Sequence, residues 1–204
     1  MKVSREQVAK NRLNILEAAS RLFSERGFDA VTIVDVMKDA GLTHGGFYGY
    51  FGSKDELIAE ASAFSLKRQE EVKADTFEDY CAGYLSAYHR QHRAGGCTFA
   101  ALASEAVRQA PAVRHEMTES LRRMIEVIAE LAPGEDAEGR RRTAISGFSA
   151  MLGGLILSRM VDDISFSDEL LEANREVLDA IAMDGNDQLG VAKSKKKGVR
   201  SSSR

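Results

Sequence analysis

GLTHGGFYGYFGSKDEL, residues 41–57, puts five glycines, two tyrosines and two phenylalanines into seventeen positions, between two segments that read as good helix. A glycine inside a helix costs about 1 kcal/mol relative to alanine. Gly45, Gly46 and Gly49 nevertheless fall in the two turns that follow Thr43. A segment that keeps a helical pattern in spite of them needs a reason. The physical one is the close approach of something to its backbone.

The residues just upstream supply the context. Thr32-Ile33-Val34-Asp35 is a capping signal, opening a short helix over 32–40. Ala40-Gly41-Leu42 is a tight turn, and Thr43 is the N-cap of a second short helix over 43–51. Two short helices joined by a glycine turn make a helix-turn-helix, here residues 32–51, locked by Val36, Met37, Ala40, Leu42, Phe47 and Phe51. In such motifs the second helix lies in the DNA major groove with its first residues against base edges.

Roles for the polar residues follow from position. Gly45 and Gly46 let the helix backbone sink toward the bases, and Gly49 leaves clearance on the same surface. His44, in the first turn, reads a base edge. Tyr48 and Tyr50 carry hydroxyls for phosphates and rings for thymine methyls or sugars. Thr32 and Thr43 stand at helix starts, where free amides favour a phosphate, with Ile33 beside them. Lys54, opening the next helix, is placed for a phosphate at the groove edge.

Outward from the motif, the whole chain reads as all-α. Ser4 and Gln7 form a capping box ahead of an apolar stripe through Leu13, Leu16, Ala19, Leu22 and Phe23, closed by Gly27. Ser53-Lys54-Asp55-Glu56 caps a long fourth helix. Further helices are expected at 76–91, 98–109, 112–131, 137–163 and 167–183, about nine in all. The organisation expected is a DNA-binding domain over 1–53, a helical ligand-binding and dimerisation domain over 54–183, and a disordered basic tail over 184–204.

The run from Arg12 to Ala61 carries "ILEAASRLFSERGFDAVTIVDVMKDAGLTHGGFYGYFGSKDELIAEA". With Phe23 and Gly27-Phe28, Thr32, the "AGLT" turn, the "FYGYF" helix and the "SKDEL" cap, it resembles the DNA-binding domain of the TetR/AcrR family of bacterial transcriptional regulators. The resemblance implies an all-helical homodimer of nine or ten helices, with three N-terminal helices on DNA and a larger effector-binding body. It also implies a ligand-relieved repressor on a palindromic operator. Relatives often carry larger residues at the positions of Gly45, Gly46 and Gly49, and histidine at that of Tyr50, so the operator does not follow from the family.

Composition agrees with a DNA partner. Residues 1–54 hold eight basic and six acidic side chains, and residues 193–204 six basic and none acidic, so residues 55–192 hold all of the negative excess. The longest apolar run, Ala150 to Leu157, is too short to cross a bilayer, and a cytoplasmic, nucleoid-associated protein is expected, with no membrane partner. Cys81 and Cys97 read as buried thiols. His89, His92 and His115 lack the acids or cysteines that would complete a metal cluster. With no nucleophile elbow, Walker loop or dinucleotide fingerprint, neither enzyme nor cofactor is expected.

Two surfaces of the body are expected. Tyr84, Tyr88, Phe99, Met117, Met124, Phe148 and Met151 are candidate walls of an apolar pocket for a small-molecule effector of unknown identity. The helix at 137–163 is apolar over too wide an arc to be covered on one side. Ile145, Phe148, Leu152, Leu155, Ile156 and Met160 read as its inner stripe, and Met151, Leu157 and Val161 extend it. A twin chain supplies the second cover, with Gly153, Leu157, Val161, Leu170, Leu171, Val177, Leu178 and Ile181 at the interface, and Gly147, Gly153 and Gly154 permitting close helix crossings. The runner-up reading, from another class, is a helical small-molecule or lipid-binding carrier without regulatory DNA binding.

Overall fold

The computed structural model describes residues 4–69 and 74–199, with side chains up to Met183. Among them are nine α-helices, one 3-10 helix and no strand. They are α1 (Arg5–Arg26), α2 (Ile33–Asp39), the 3-10 helix η1 (His44–Gly49), α3 (Lys54–Gln69), α4 (Phe77–Tyr84), α5 (Ala87–Gln91), α6 (Thr98–Ala106), α7 (Pro111–Leu131), α8 (Ala137–Met160) and α9 (Ile164–Val199).

The chain forms two compact units. The first takes the described residues up to 69 together with 92–122; the second takes 74–91 and 123–199. α3 lies along α1, and α6 returns to pack on both of them. α1 begins at Ser4, whose Oγ accepts from the Gln7 amide at 3.1 Å. Only half of the expected capping box forms, because the Gln7 side chain turns to Asn11 Oδ1 instead. Gly27, at φ +83°, ends α1. Phe23, Phe28, Phe47, Phe51, Met37 and Leu57 are almost wholly buried, and rings 23 and 28 meet edge to face at 5.4 Å. Each such side chain contributes about 1.5–3 kcal/mol.

In the second unit α8 and α9 pack along each other, and α4 packs on both. Phe148, Met151, Leu155, Leu171 and Leu178 are buried, with the Tyr84 ring edge-on to Phe148 at 5.8 Å. The helix expected over 76–91 is two helices, α4 and α5. Leu85 leaves the helical conformation, and Ser86 restarts the chain by accepting from the His89 amide at 3.1 Å. Arg90 of α5 donates to Ser167 and Asp168 at the start of α9, and Arg159 of α8 donates to the carbonyls of His89 and Arg90. Those last bonds satisfy carbonyls that a helix end leaves without partners.

Two expectations change here. α8 is long and apolar enough to cross a bilayer by length and composition, contrary to the reading of its longest uninterrupted run. Its buried face, including Ala144, Phe148, Met151 and Leu155, is spent inside this unit, as in a core helix. The backbone of α9 continues helical to Val199, where composition pointed to a disordered tail; no proline stops it. The rest of that segment, 200–204, lies outside the described residues.

Candidate nucleic-acid interface

α2 is held by a complete capping box. Thr32 Oγ1 accepts from the Asp35 amide at 3.2 Å, and the Asp35 carboxylate accepts from the Thr32 amide at 2.9 Å. The Thr32 hydroxyl, and after it the Thr32 amide, donate to the Asp35 carboxylate and hold the carboxyl below its ordinary value. α2 stops in a two-bond glycine cap: the Leu42 amide donates to the Met37 carbonyl at 2.8 Å and the Gly41 amide to the Lys38 carbonyl at 3.1 Å. Gly41 takes φ +71°, the left-handed conformation this cap requires.

The second helix of the motif is the 3-10 helix η1, not a regular α-helix to Phe51. The Gly46 amide donates to Thr43 and the Tyr50 amide to Phe47, each three residues back. Three glycines in six residues weaken the α-helical preference and leave the tighter turn competitive. Phe47 anchors η1 from beneath, fully buried and stacked with Phe51 at 5.9 Å.

The outer face of η1 is open. Thr43, His44, Gly45, Tyr48 and Gly49 are exposed, Tyr48 by 68%. The Thr43 side chain makes no capping bond. A Cβ built on Gly45 or Gly49 would meet nothing within 4 Å, and one on Gly46 would make only ordinary contacts with Met37, Thr43 and Tyr50. The glycines are therefore not required by packing within the chain. The space they leave faces outward.

The remaining candidates are partly engaged. Thr32 is exposed, but its side chain is committed to Asp35, and Ile33 is half-buried. The half-buried Tyr50 accepts from Asn11 Nδ2 at 2.8 Å, which ties η1 to α1. Lys54 Nζ donates to the Phe28 carbonyl at 2.7 Å, fixing the α1–α2 loop to α3. An ammonium has two further donors, so the bond aims Lys54 without exhausting it. The sequence reading missed Val34, 52% exposed on α2. It also missed Asn11 and Arg12, the latter paired with Glu60 and lying 4.7 Å over the Phe51 ring.

Comparison with known proteins fits this geometry. The family described as bacterial regulatory proteins, tetR family, matches residues 15–61, from α1 into α3. The N-terminal domain belongs to the TetR family. The TetR-type domain is 41% identical over 57 residues to the uncharacterized HTH-type transcriptional regulator YfiR of Bacillus subtilis, a match covering 28% of each chain. It is also 41% identical over 54 residues to the HTH-type transcriptional repressor KstR2 of Mycobacterium tuberculosis, covering 26% of this chain and 27% of that one. The chain thus spans little more than a quarter of the length of the curated relatives it matches. A transcriptional regulator of the TetR family from Agrobacterium tumefaciens has the same fold over far more of the chain. The TM-score is 0.68 at 16% identity, with 86% of this chain and 99% of that one covered.

The pocket candidates are distributed over both units. Phe99 and Met117 are buried in the first unit, which holds the TetR-type domain. Tyr84, Met124, Phe148 and Met151 are buried in the second, with the Tyr80 hydroxyl donating to Met124 Sδ at 3.7 Å. Tyr88 is 70% exposed. A cavity of about 710 Å³ does occur, but in the first unit, among Asn14, Arg21, Phe64 and Arg68. None of the seven candidates lines it.

The dimer candidates divide. Leu171 and Leu178 are buried core, and Gly147 and Gly154 face Phe77 and Asn174 of the same chain, so none of the four is available to a partner. Leu157, Val177 and Ile181 are exposed, and Gly153, Val161 and Leu170 are half-buried, with open space over Gly153. Ile145, Ile156 and Met160, read as an inner stripe, are exposed too. Phe148 and Leu155 of the expected inner stripe are buried, with Met151 beside them.

Proposed function

We propose that the protein is a dimeric, DNA-binding transcriptional regulator, a repressor that a small-molecule effector releases from a palindromic operator in the cytoplasm. The observation that carries this reading is the open glycine face of η1. The Cβ positions of Gly45 and Gly49 are empty, its flanks bear Thr43, His44 and Tyr48, and its underside is locked by Phe47. A backbone cleared on one side and anchored on the other suits a helix that must press into a groove. His44 reads a base edge. Tyr48, Tyr50 and the remaining donors of Lys54 meet sugars and phosphates, and Thr43 adds a hydroxyl at the start of η1.

The exposed apolar residues of α8 and α9, Ile145, Ile156, Leu157, Met160, Val177 and Ile181, form the dimer surface, and Gly153 marks the close crossing. An apolar face of this extent calls for a cover, and a two-fold partner matches a palindromic site. The effector enters the second unit around Tyr84, Met124, Phe148 and Met151, whose apolar side chains suit an apolar ligand, and acts by preferring the conformation that does not bind DNA.

The test is selection from a random duplex library with the purified protein, followed by sequencing. A palindromic consensus with half-sites about one helical turn apart, or a multiple of it, is the expected result. Recovery of no enriched sequence at moderate salt would contradict it.

A further inference from the structure

The loop between α1 and α2 is gripped from two sides at a single residue. The Phe28 amide donates to Glu105 Oε2 at 2.7 Å, and the Phe28 carbonyl accepts from Lys54 Nζ at 2.7 Å. A carboxylate thus holds the donor of this residue and an ammonium its acceptor, the stronger, charge-assisted form of each bond. The Phe28 ring is fully buried below. Gly27, the pivot between α1 and this loop, takes φ +83°, and a Cβ there would lie 2.3 Å from Glu105 Oε1. The glycine is needed for its backbone conformation, and it also clears the path of the carboxylate.

Glu105 lies in α6, outside residues 15–61, and is separated from Phe28 by 77 positions. It is the only acid in α6. The other end of α6 is fixed to α3: Gln69 accepts from the Thr98 amide at 3.1 Å and donates to Thr98 Oγ1 at 2.9 Å, and Ser65 and Thr98 hydroxyls meet at 2.8 Å. α6 is therefore registered on α3 at its start and on the α1–α2 loop at its end. Phe28 is four residues before Thr32, the N-cap of α2. Whatever fixes the Phe28 peptide fixes where the helix-turn-helix begins.

We propose that Glu105 is a positioning residue for DNA recognition. It sets the placement of α2 and η1 by holding the Phe28 peptide, although it touches no DNA itself. The proposal rests on the regulator reading above for its DNA readout, but not for its structural half. It makes a prediction opposite in sign to simple electrostatics. Removing a negative charge from a DNA-binding unit strengthens binding if charge alone matters. Removing a positioning group weakens it.

The experiment compares wild type, Glu105→Ala and Glu105→Gln by amide exchange at Phe28 without DNA, and by affinity and salt dependence on the selected duplex. Glu105→Ala is expected to speed Phe28 exchange at least tenfold and weaken binding about tenfold, at temperatures where the variant is folded, with an unchanged salt slope. Glu105→Gln keeps an acceptor oxygen and restores most of both. Glu105→Ala with wild-type Phe28 exchange, or with equal or tighter DNA binding, overturns the proposal. A merely structural role would lower the melting temperature and leave the affinity of the folded protein unchanged, which also overturns it. A wild type that binds no duplex sinks the regulator reading instead. The proposal, which states a role in DNA recognition, falls with it, and Phe28 exchange then reads only whether Glu105 holds the loop.

Discussion

Asn11 Nδ2 of α1 donates to the Tyr50 hydroxyl at 2.8 Å, and Asn11 Oδ1 in turn accepts from Gln7 Nε2 at 2.8 Å. The hydroxyl acts as acceptor in this bond, which leaves its own proton for a further acceptor. In the proposed regulator, that proton goes to DNA. Asn11→Ala and Tyr50→Phe should each weaken binding about fivefold, the loss of one ordinary hydrogen bond. Because the two act through one hydroxyl, the double variant should cost little more than either alone. Full additivity in titrations on one duplex would mean that the pair acts independently.

Lys54 serves both the loop and the phosphates. Lys54→Ala should lower the melting temperature, since a charge-assisted bond to the Phe28 carbonyl is lost, a contribution of about 1.5–3 kcal/mol. It should also reduce the slope of log affinity against log salt by about 0.9, one phosphate's worth. A lower melting temperature with the slope unaltered would leave Lys54 as a loop clamp alone.

The dimer surface predicts a separation of effects along α8 and α9. Leu157→Glu and Ile156→Glu change residues exposed in the single chain, so the variants should fold but sediment as monomers and bind the operator weakly. Gly153→Leu should act the same way, because a Cβ at this position meets nothing within 4 Å in the chain. Leu178→Ala, in the core, should instead lower stability by about 2–5 kcal/mol. Sedimentation of Leu157→Glu as a normal dimer would move the interface elsewhere.

His89 provides a pH prediction. Desolvation, with a smaller push from Arg159, holds its imidazole below the ordinary value, outweighing the bond to the Tyr84 carbonyl. The unfolded chain then takes up this proton at a higher pH than the folded one. Stability from this group is complete above about pH 6.5 and declines as pH falls toward the depressed value, by up to about 1.4 kcal/mol per pH unit. His89→Gln should flatten the denaturation midpoint between pH 7 and 5. The same decline in the variant would assign the pH dependence to other groups.

The helix-turn-helix was readable because its signals are local. Thr32 with Asp35 and the turn at Gly41 each specify geometry within a few residues, and the structure realises both. The break between α4 and α5 was missed because it depends on Ser86 competing for a backbone amide inside an apolar pattern. The α8 stripe was read only in part, with Phe148 and Leu155 inside but Ile145, Ile156 and Met160 exposed: with Ile, Leu and Met almost all round, periodicity does not say which side is buried, and contact with α4 and α9 decides. Leu171 and Leu178 were placed outside for the same reason, and Tyr88 inside. Glu105 carried no local signal at all, since its partner is 77 positions away.

The central claim, that the open face of η1 is turned to DNA, is tested most directly by filling it. Gly45→Leu adds a side chain at a position whose Cβ would have nothing of the chain within 4 Å. The variant should be as stable as wild type or gain up to about 1 kcal/mol, because a glycine has been removed from a helical segment. The measurement is the binding isotherm of Gly45→Leu on the selected duplex, beside its melting curve. Loss of at least a hundredfold in affinity, with an unchanged or raised melting temperature, is the predicted result. Wild-type affinity with the leucine in place would contradict the claim.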